Sequence, residues 1–235
     1  MQSQSWQTDL LNLQLTLTVK PMFKYVSSLE RLRQMVKLMD DTVGRLAIPR
    51  GTRREAVKIP GAQFEAEWVL PDKTDSERVL LYLPGGAYVI RMPNAHTGMV
   101  SRLCRNANAR ALMAYYRLAP EYPFPACLED SVLAYRWLLR QGVEPGRIVI
   151  AGDSAGGGLT LAAALRLREL GVPLPDALVV FSPWVAMLTV LVLKSGWRDG
   201  WRGWVIAGAR WMGTFAKYAF LLERQWTKPE DSRRP

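Results

Sequence analysis

A single histidine, only two cysteines and no apolar run long enough to span a membrane set the first limits on this 235-residue sequence. Cys104 and Cys127 make no disulfide framework and lack metal-ligand spacing. Two reduced, half-buried thiols are therefore expected, as in a cytosolic protein. The longest apolar run, residues 177–193, is interrupted by Ser182, Pro183 and Thr189 and falls short of the roughly 20 residues a spanning helix needs. The Leu-rich stretch from Leu10 to Val19 is broken by Asn12, Gln14, Thr16 and Thr18, so no signal peptide is expected and a cytoplasmic location is the default. A formal charge of +10 would suit nucleic acid or an anionic surface. Yet the charge is dispersed, with no long basic run and no RNA-binding aromatic signature, and no nucleic-acid partner is expected. No internal repeat is visible.

What is present is ordinary globular material, 49% hydrophobic and 22% charged, long enough for one good core. Residues 1–48 read as largely helical, with Leu29, Leu32, Met35, Val36 and Leu38–Met39 at helical spacing. Pro60-Gly61 lies between two β-rich runs and marks a hairpin at a sheet edge. Short apolar runs then alternate with helical stretches. Strands are expected at 79–83, 111–116, 147–151 and 177–181, and helices at 96–106, 125–141 and 155–170. On the helix 125–141, Leu128, Val132, Tyr135 and Leu139 share one face. Repeated strand–helix–strand units imply an α/β fold: a mainly parallel sheet with helices on both faces.

Two loops carry chemistry. Gly152-Asp-Ser-Ala-Gly156 fits the G-x-S-x-G pattern, entered from the β-rich run Ile148-Val-Ile-Ala and left through an Ala/Leu helix. That setting suits a nucleophile elbow, a sharp strand-to-helix turn that lifts Ser154 above the sheet; small residues at 152 and 156 let it close. The helix start then offers unpaired N–H groups to a developing oxyanion. The competing reading is a glycine turn used for close packing or phosphate binding. The second loop, Leu83-Pro-Gly-Gly-Ala-Tyr88, follows the strand 79–83. Its small residues Gly85, Gly86 and Ala87 would let backbone N–H groups approach a substrate carbonyl.

Four segments together make the sequence resemble the hormone-sensitive-lipase family of α/β-hydrolase carboxylesterases, in its bacterial esterase branch. They are Tyr82-Leu-Pro-Gly-Gly-Ala-Tyr88; Tyr116-Arg-Leu-Ala-Pro-Glu-Tyr-Pro-Phe-Pro-Ala126 with Glu129-Asp130; Gly152-Asp-Ser-Ala-Gly-Gly157; and Phe181-Ser-Pro-Trp184. The resemblance implies an α/β-hydrolase fold and hydrolysis of small-molecule carboxylic esters of short or medium acyl chain, without metal or cofactor. It makes Ser154 the nucleophile and the N–H groups of Gly86, Ala87 and Ala155 the oxyanion donors, with Gly85 shaping the loop. It also implies a division into an N-terminal helical cap segment (1–50), an α/β-hydrolase core (51–185) and an aberrant tail (186–235), with the terminal strands of the sheet missing.

The sequence departs from that pattern in two ways. Pro84 stands where the family's loop usually opens with His, a change that touches loop shape. More seriously, the family's acid and base follow the serine, and no histidine does so here. His96 lies upstream, against the chain order Ser, acid, His, and is read as a helix-face residue near the loop. Asp199 sits in Trp-Arg-Asp-Gly without the family's following proline, and Asp153 is assigned a structural role in the elbow. After Val185 the sequence turns rich in Trp, Arg and Gly, with five of nine tryptophans between Trp197 and Trp226. A lost reading frame near Ala186 is the first explanation, and a membrane-surface segment the second, weakened by Gly196, Gly200, Gly203, Gly208 and Gly213. A divergent terminal domain is the third. Without further strands, 177–181 would be an open apolar edge. The oligomeric state is not legible.

Overall fold

The computed structural model describes residues 28–181, apart from 73, 75 and 76. Within them a six-stranded sheet is built in the order β1-β2-β4-β3-β5-β6. The strands are β1 (Thr52–Val57), β2 (Glu65–Pro71), β3 (Val79–Leu83), β4 (Arg110–Tyr115), β5 (Ile148–Asp153) and β6 (Ala177–Phe181). The pairs β1/β2 and β2/β4 are antiparallel, whereas β3/β4, β3/β5 and β5/β6 are parallel. The expected hairpin at Pro60-Gly61 is therefore the sheet edge, and the expected parallel sheet is its other half.

Among the described residues four α-helices accompany the strands: α1 (Leu29–Met39), α2 (Pro93–Ala107), α3 (Ala126–Arg140) and α4 (Ser154–Glu169). Alternation along the central strands sorts the core into two layers. Leu81, Leu83, Leu112 and Ile150 pack with Tyr135 and Leu138 of α3 and Leu159 of α4. Tyr82, Met113 and Ala151 point the other way, against Val100 and Cys104 of α2. A strand side-chain period of two puts helices on both faces. Cys104 and Cys127 fall in different layers, both free. They are buried rather than half-buried as the sequence suggests, and burial pushes both thiols up to about 12. Among the described residues β6 pairs with β5 alone, leaving Leu178, Val179 and Phe181 partly exposed. No helix among them is long and apolar enough to cross a membrane.

The N-terminal segment is fixed to this core by polar contacts. α1 starts at Ser28, whose hydroxyl accepts from Arg31 N, and passes directly into a π-helical turn, Asp40–Gly44. There Asp40, only 5% exposed, accepts from the N–H groups of Asn94 and Ala95, each at 2.8 Å. Helix α2 has no side-chain cap of its own, so Asp40 satisfies N–H groups that a helix start leaves unpaired. Arg33 donates to Val89 O, to Ala119 O and to both carboxylate oxygens of Glu121. The helical expectation for residues 1–27 lies outside the described residues.

Candidate active site

The two glycine loops leave the sheet side by side. The parallel register pairs Leu83 of β3 with Gly152 of β5, so Pro84-Gly-Gly-Ala and Asp153-Ser-Ala-Gly begin at one level. They emerge at the carboxyl ends of central parallel strands, where open α/β sheets place their ligands.

Ser154 is the first residue of α4 and has φ 51°. That left-handed backbone is uncommon for a residue with a Cβ and marks a strained turn. The turn closes because residues 152 and 156 lack side chains. A Cβ on Gly152 would meet the Gly156 carbonyl, and one on Gly156 would press into the Leu83 carbonyl and lie 2.8 Å from the carbonyl carbon of Pro84. Ser154 remains partly accessible while Ala155 is buried. The Ala155 N–H belongs to the first helical turn, whose donors have no intrahelical acceptor.

The Gly-Gly loop is bent by a run of left-handed residues: Gly86 at φ 137°, Ala87 at 53° and Tyr88 at 62°. Gly86 O accepts from Val89 N and Ile90 N, both at 2.9 Å. Among the described residues the N–H groups of Gly86 and Ala87 are paired with no acceptor, and both residues are partly exposed. The N–H of Gly85 is different. It donates to Asp153 Oδ1 at 2.8 Å, so it is spent inside the protein and serves to shape the loop.

Asp153 is the hub. Its Oδ1 also accepts from Tyr82 Oη at 2.8 Å and lies 3.3 Å from His96 Nε2. Burial raises the Asp153 carboxyl, while His96 and the hydrogen bonds from Tyr82 and Gly85 together lower it. The net result is a carboxyl held below its ordinary value. Two tyrosines complete the frame: Tyr88 Oη donates to Ala155 O at 2.7 Å, and Tyr116 Oη donates to Pro84 O at 2.5 Å. Burial pushes both hydroxyls up, so they remain donors.

His96 is a helix residue near the loop, as expected, and it is buried. It is 4% exposed in α2, with Nδ1 2.8 Å from Met92 O and Nε2 turned to Asp153. Sequence reasoning also missed Asp40 and Arg33, whose partners lie more than 50 residues away. The Glu129-Asp130 pair is accounted for by Arg117. Its backbone N donates to Asp130 Oδ2 and its Nη2 to Oδ1, each at 2.8 Å, with Asp130 2% exposed. Ser182-Pro-Trp184, Asp199 and the tail 186–235 lie outside the described residues.

A groove of about 860 Å3 is lined by Arg33, Asp40, Val89, Arg91 and Arg117 among others. Ser154 does not line it, and its guanidinium groups are largely engaged by carboxylates. It is therefore set apart from the elbow. Among the described residues no cluster of three or more His, Cys, Asp or Glu is arranged to hold a metal ion.

Comparison with known proteins bears on this arrangement. A family model described as alpha/beta hydrolase fold matches residues 80–223. An acetyl-hydrolase of Streptomyces hygroscopicus is 47% identical over 144 residues, covering 61% of this chain and 46% of the relative. Esterase LipU of Mycobacterium tuberculosis is 42% identical over 147 residues, covering 61% and 49%. The crystal structure of an esterase from the bacterial hormone-sensitive lipase family matches at 38% identity with a TM-score of 0.66, over 80% of this chain and 63% of that one. The chain spans about half the length of the curated relatives it matches.

Proposed function

Since this chain belongs to the α/β-hydrolase fold family, on its hormone-sensitive-lipase branch, we propose that it carries the nucleophile and oxyanion machinery of a serine carboxylesterase. The observation that carries the proposal is Ser154 at φ 51° on the β5–α4 turn, with the Gly-Gly loop fastened beside it. Relatives named as esterases and an acetyl-hydrolase support the same reaction class.

In this reading Ser154 Oγ attacks the carbonyl carbon of a short- or medium-chain ester. The carbonyl oxygen becomes an oxyanion and receives the N–H groups of Gly86, Ala87 and Ala155. Such preorganised donors act where charge develops, and each is worth about 3 kcal/mol. Collapse of the tetrahedral species expels the alcohol and leaves an acyl group on Ser154, which water then removes. No step calls on a metal or a cofactor. The Ser154 proton is the difficulty. An unassisted hydroxyl is a weak nucleophile at neutral pH, and the only imidazole of the sequence is directed at Asp153. Turnover by this chain alone is accordingly slow. That same shortage favours a second reading, a non-catalytic module that binds acyl ligands in an α/β-hydrolase core.

Covalent labelling separates the two. A fluorophosphonate reports the nucleophile and the oxyanion hole, slowly where no base is free, so on long incubation we expect one probe mass on Ser154 and none on Ser154→Ala. A folded chain whose serine stays unlabelled would leave the non-catalytic module standing.

A further inference from the structure

The histidine without a place in the reaction has two polar contacts, and both point inward. We propose that His96 is a positioning residue: by holding the Asp153 carboxylate it fastens the oxyanion loop to the nucleophile elbow. This rests on the serine-esterase reading and assigns a task to the residue that cannot serve as its base.

The partners of the ring define its role. Nδ1 lies 2.8 Å from the carbonyl oxygen of Met92, a group that only accepts, so this nitrogen must carry a proton. Nε2 lies 3.3 Å from a carboxylate oxygen of Asp153. A lone pair there would oppose the carboxylate, whereas a proton is attracted to it. A ring whose two nitrogens face Met92 O and Asp153 Oδ1 has neither directed at Ser154.

The carboxylate passes this constraint on to the loop. Oδ1 of Asp153 takes the Gly85 N–H at 2.8 Å and the Tyr82 hydroxyl at 2.8 Å. Gly85 is packed so closely that a Cβ there would collide with the Asp153 side chain and lie 2.8 Å from its backbone oxygen. The unpaired N–H groups of Gly86 and Ala87 come next in the chain, and their direction follows from where Gly85 is pinned. Asp153 itself immediately precedes Ser154, so one carboxylate fixes the nucleophile's turn and the loop opposite it. His96 is in turn held from outside. Its helix begins at Pro93, and Asp40 secures the N–H groups of Asn94 and Ala95, the two residues before it. Without the ring, the partly exposed Asp153 carboxylate is held by the Tyr82 and Gly85 donors alone.

A packing role and a positioning role make different predictions for the labelling kinetics of folded protein. With a fluorophosphonate, the maximal rate constant reports how well the oxyanion hole meets the developing charge, and the half-saturating concentration reports probe binding. For His96→Ala we expect the maximal rate constant to fall about tenfold to a hundredfold, with half-saturation little changed. His96→Gln places a side-chain N–H2 near the Nε2 position and is expected to restore most of the rate. His96→Asn is too short to reach Asp153 and is expected to stay slow, so the Gln/Asn contrast decides the matter if the alanine variant does not fold. Asp153→Ala is expected to be slow whichever residue occupies position 96. Folded His96→Ala or His96→Asn that labels as fast as the unaltered chain would overturn the proposal, whatever it does to melting temperature. An unaltered chain that is itself inert would instead reject the serine-esterase reading, and the positioning role with it.

Discussion

At the scale of single residues, the elbow is a steric problem solved by glycine and an electrostatic one solved by Asp153. Gly156 has the Leu83 carbonyl where a side chain would begin, and backbone cannot swing aside as a long side chain can. Gly156→Ala is therefore expected to cost on the order of 3 kcal/mol, the upper end of the usual overpacking range, or to shift the turn and abolish labelling of Ser154. A melting temperature and labelling rate both unchanged would mean that the loops are not in contact. Asp153 makes a pH-dependent contribution whose sign follows from its depressed carboxyl. In the unfolded chain the group titrates near its ordinary value of about 3.9. The stabilisation is complete above that value and is lost as pH falls through the lower folded value. The melting-temperature gap between the unaltered chain and Asp153→Asn should thus be steady near neutrality and narrow in acid below about pH 4. A gap that widens on acidification would contradict the assignment.

At the scale of elements, the π-helical turn Asp40–Gly44 secures the N-terminal helix to the core. Asp40→Ala leaves the Asn94 and Ala95 N–H groups without their buried acceptor and is expected to cost about 2 kcal/mol, read as a lower denaturation midpoint. A midpoint within error of the unaltered chain would show that water replaces the cap. The nearby Arg33 holds the Glu121 carboxyl down to about 2 through its paired hydrogen bonds, although Glu121 is half exposed and contributes little stability. Elements such as these divide what the sequence discloses from what it conceals. Strands β3 and β6 are found at the residues that the apolar runs predict, and α2, α3 and α4 within a few residues of expectation. Local periodicity carries that information. The glycine pattern of the elbow was legible for the same reason, since steric need at 152 and 156 is written in adjacent positions. The contacts of Asp40, Arg33 and His96 were not. Each joins residues 50 or more apart in the chain, and nothing local distinguishes a buried, paired His96 from one on a solvent-facing turn. Its being the only histidine, placed shortly after the Gly-Gly loop, was the one available signal. It pointed to importance without saying for what.

At the scale of the molecule, the proposed site has a nucleophile and oxyanion donors and one conspicuous shortage. The family match runs from residue 80 to residue 223, yet the sequence holds no histidine after Ser154. Removing triad members from a serine hydrolase leaves roughly 10³–10⁴-fold over water, supplied by the oxyanion hole and binding. The most direct measurement is therefore steady-state hydrolysis of p-nitrophenyl acetate by the purified 235-residue chain and by Ser154→Ala, with an intact acetyl-hydrolase relative assayed alongside. A nucleophile and oxyanion hole without a free base should give a weak rate that vanishes in Ser154→Ala, with kcat on the order of 10⁴ below the relative. Turnover matching the relative, or a rate that survives Ser154→Ala, would contradict the account.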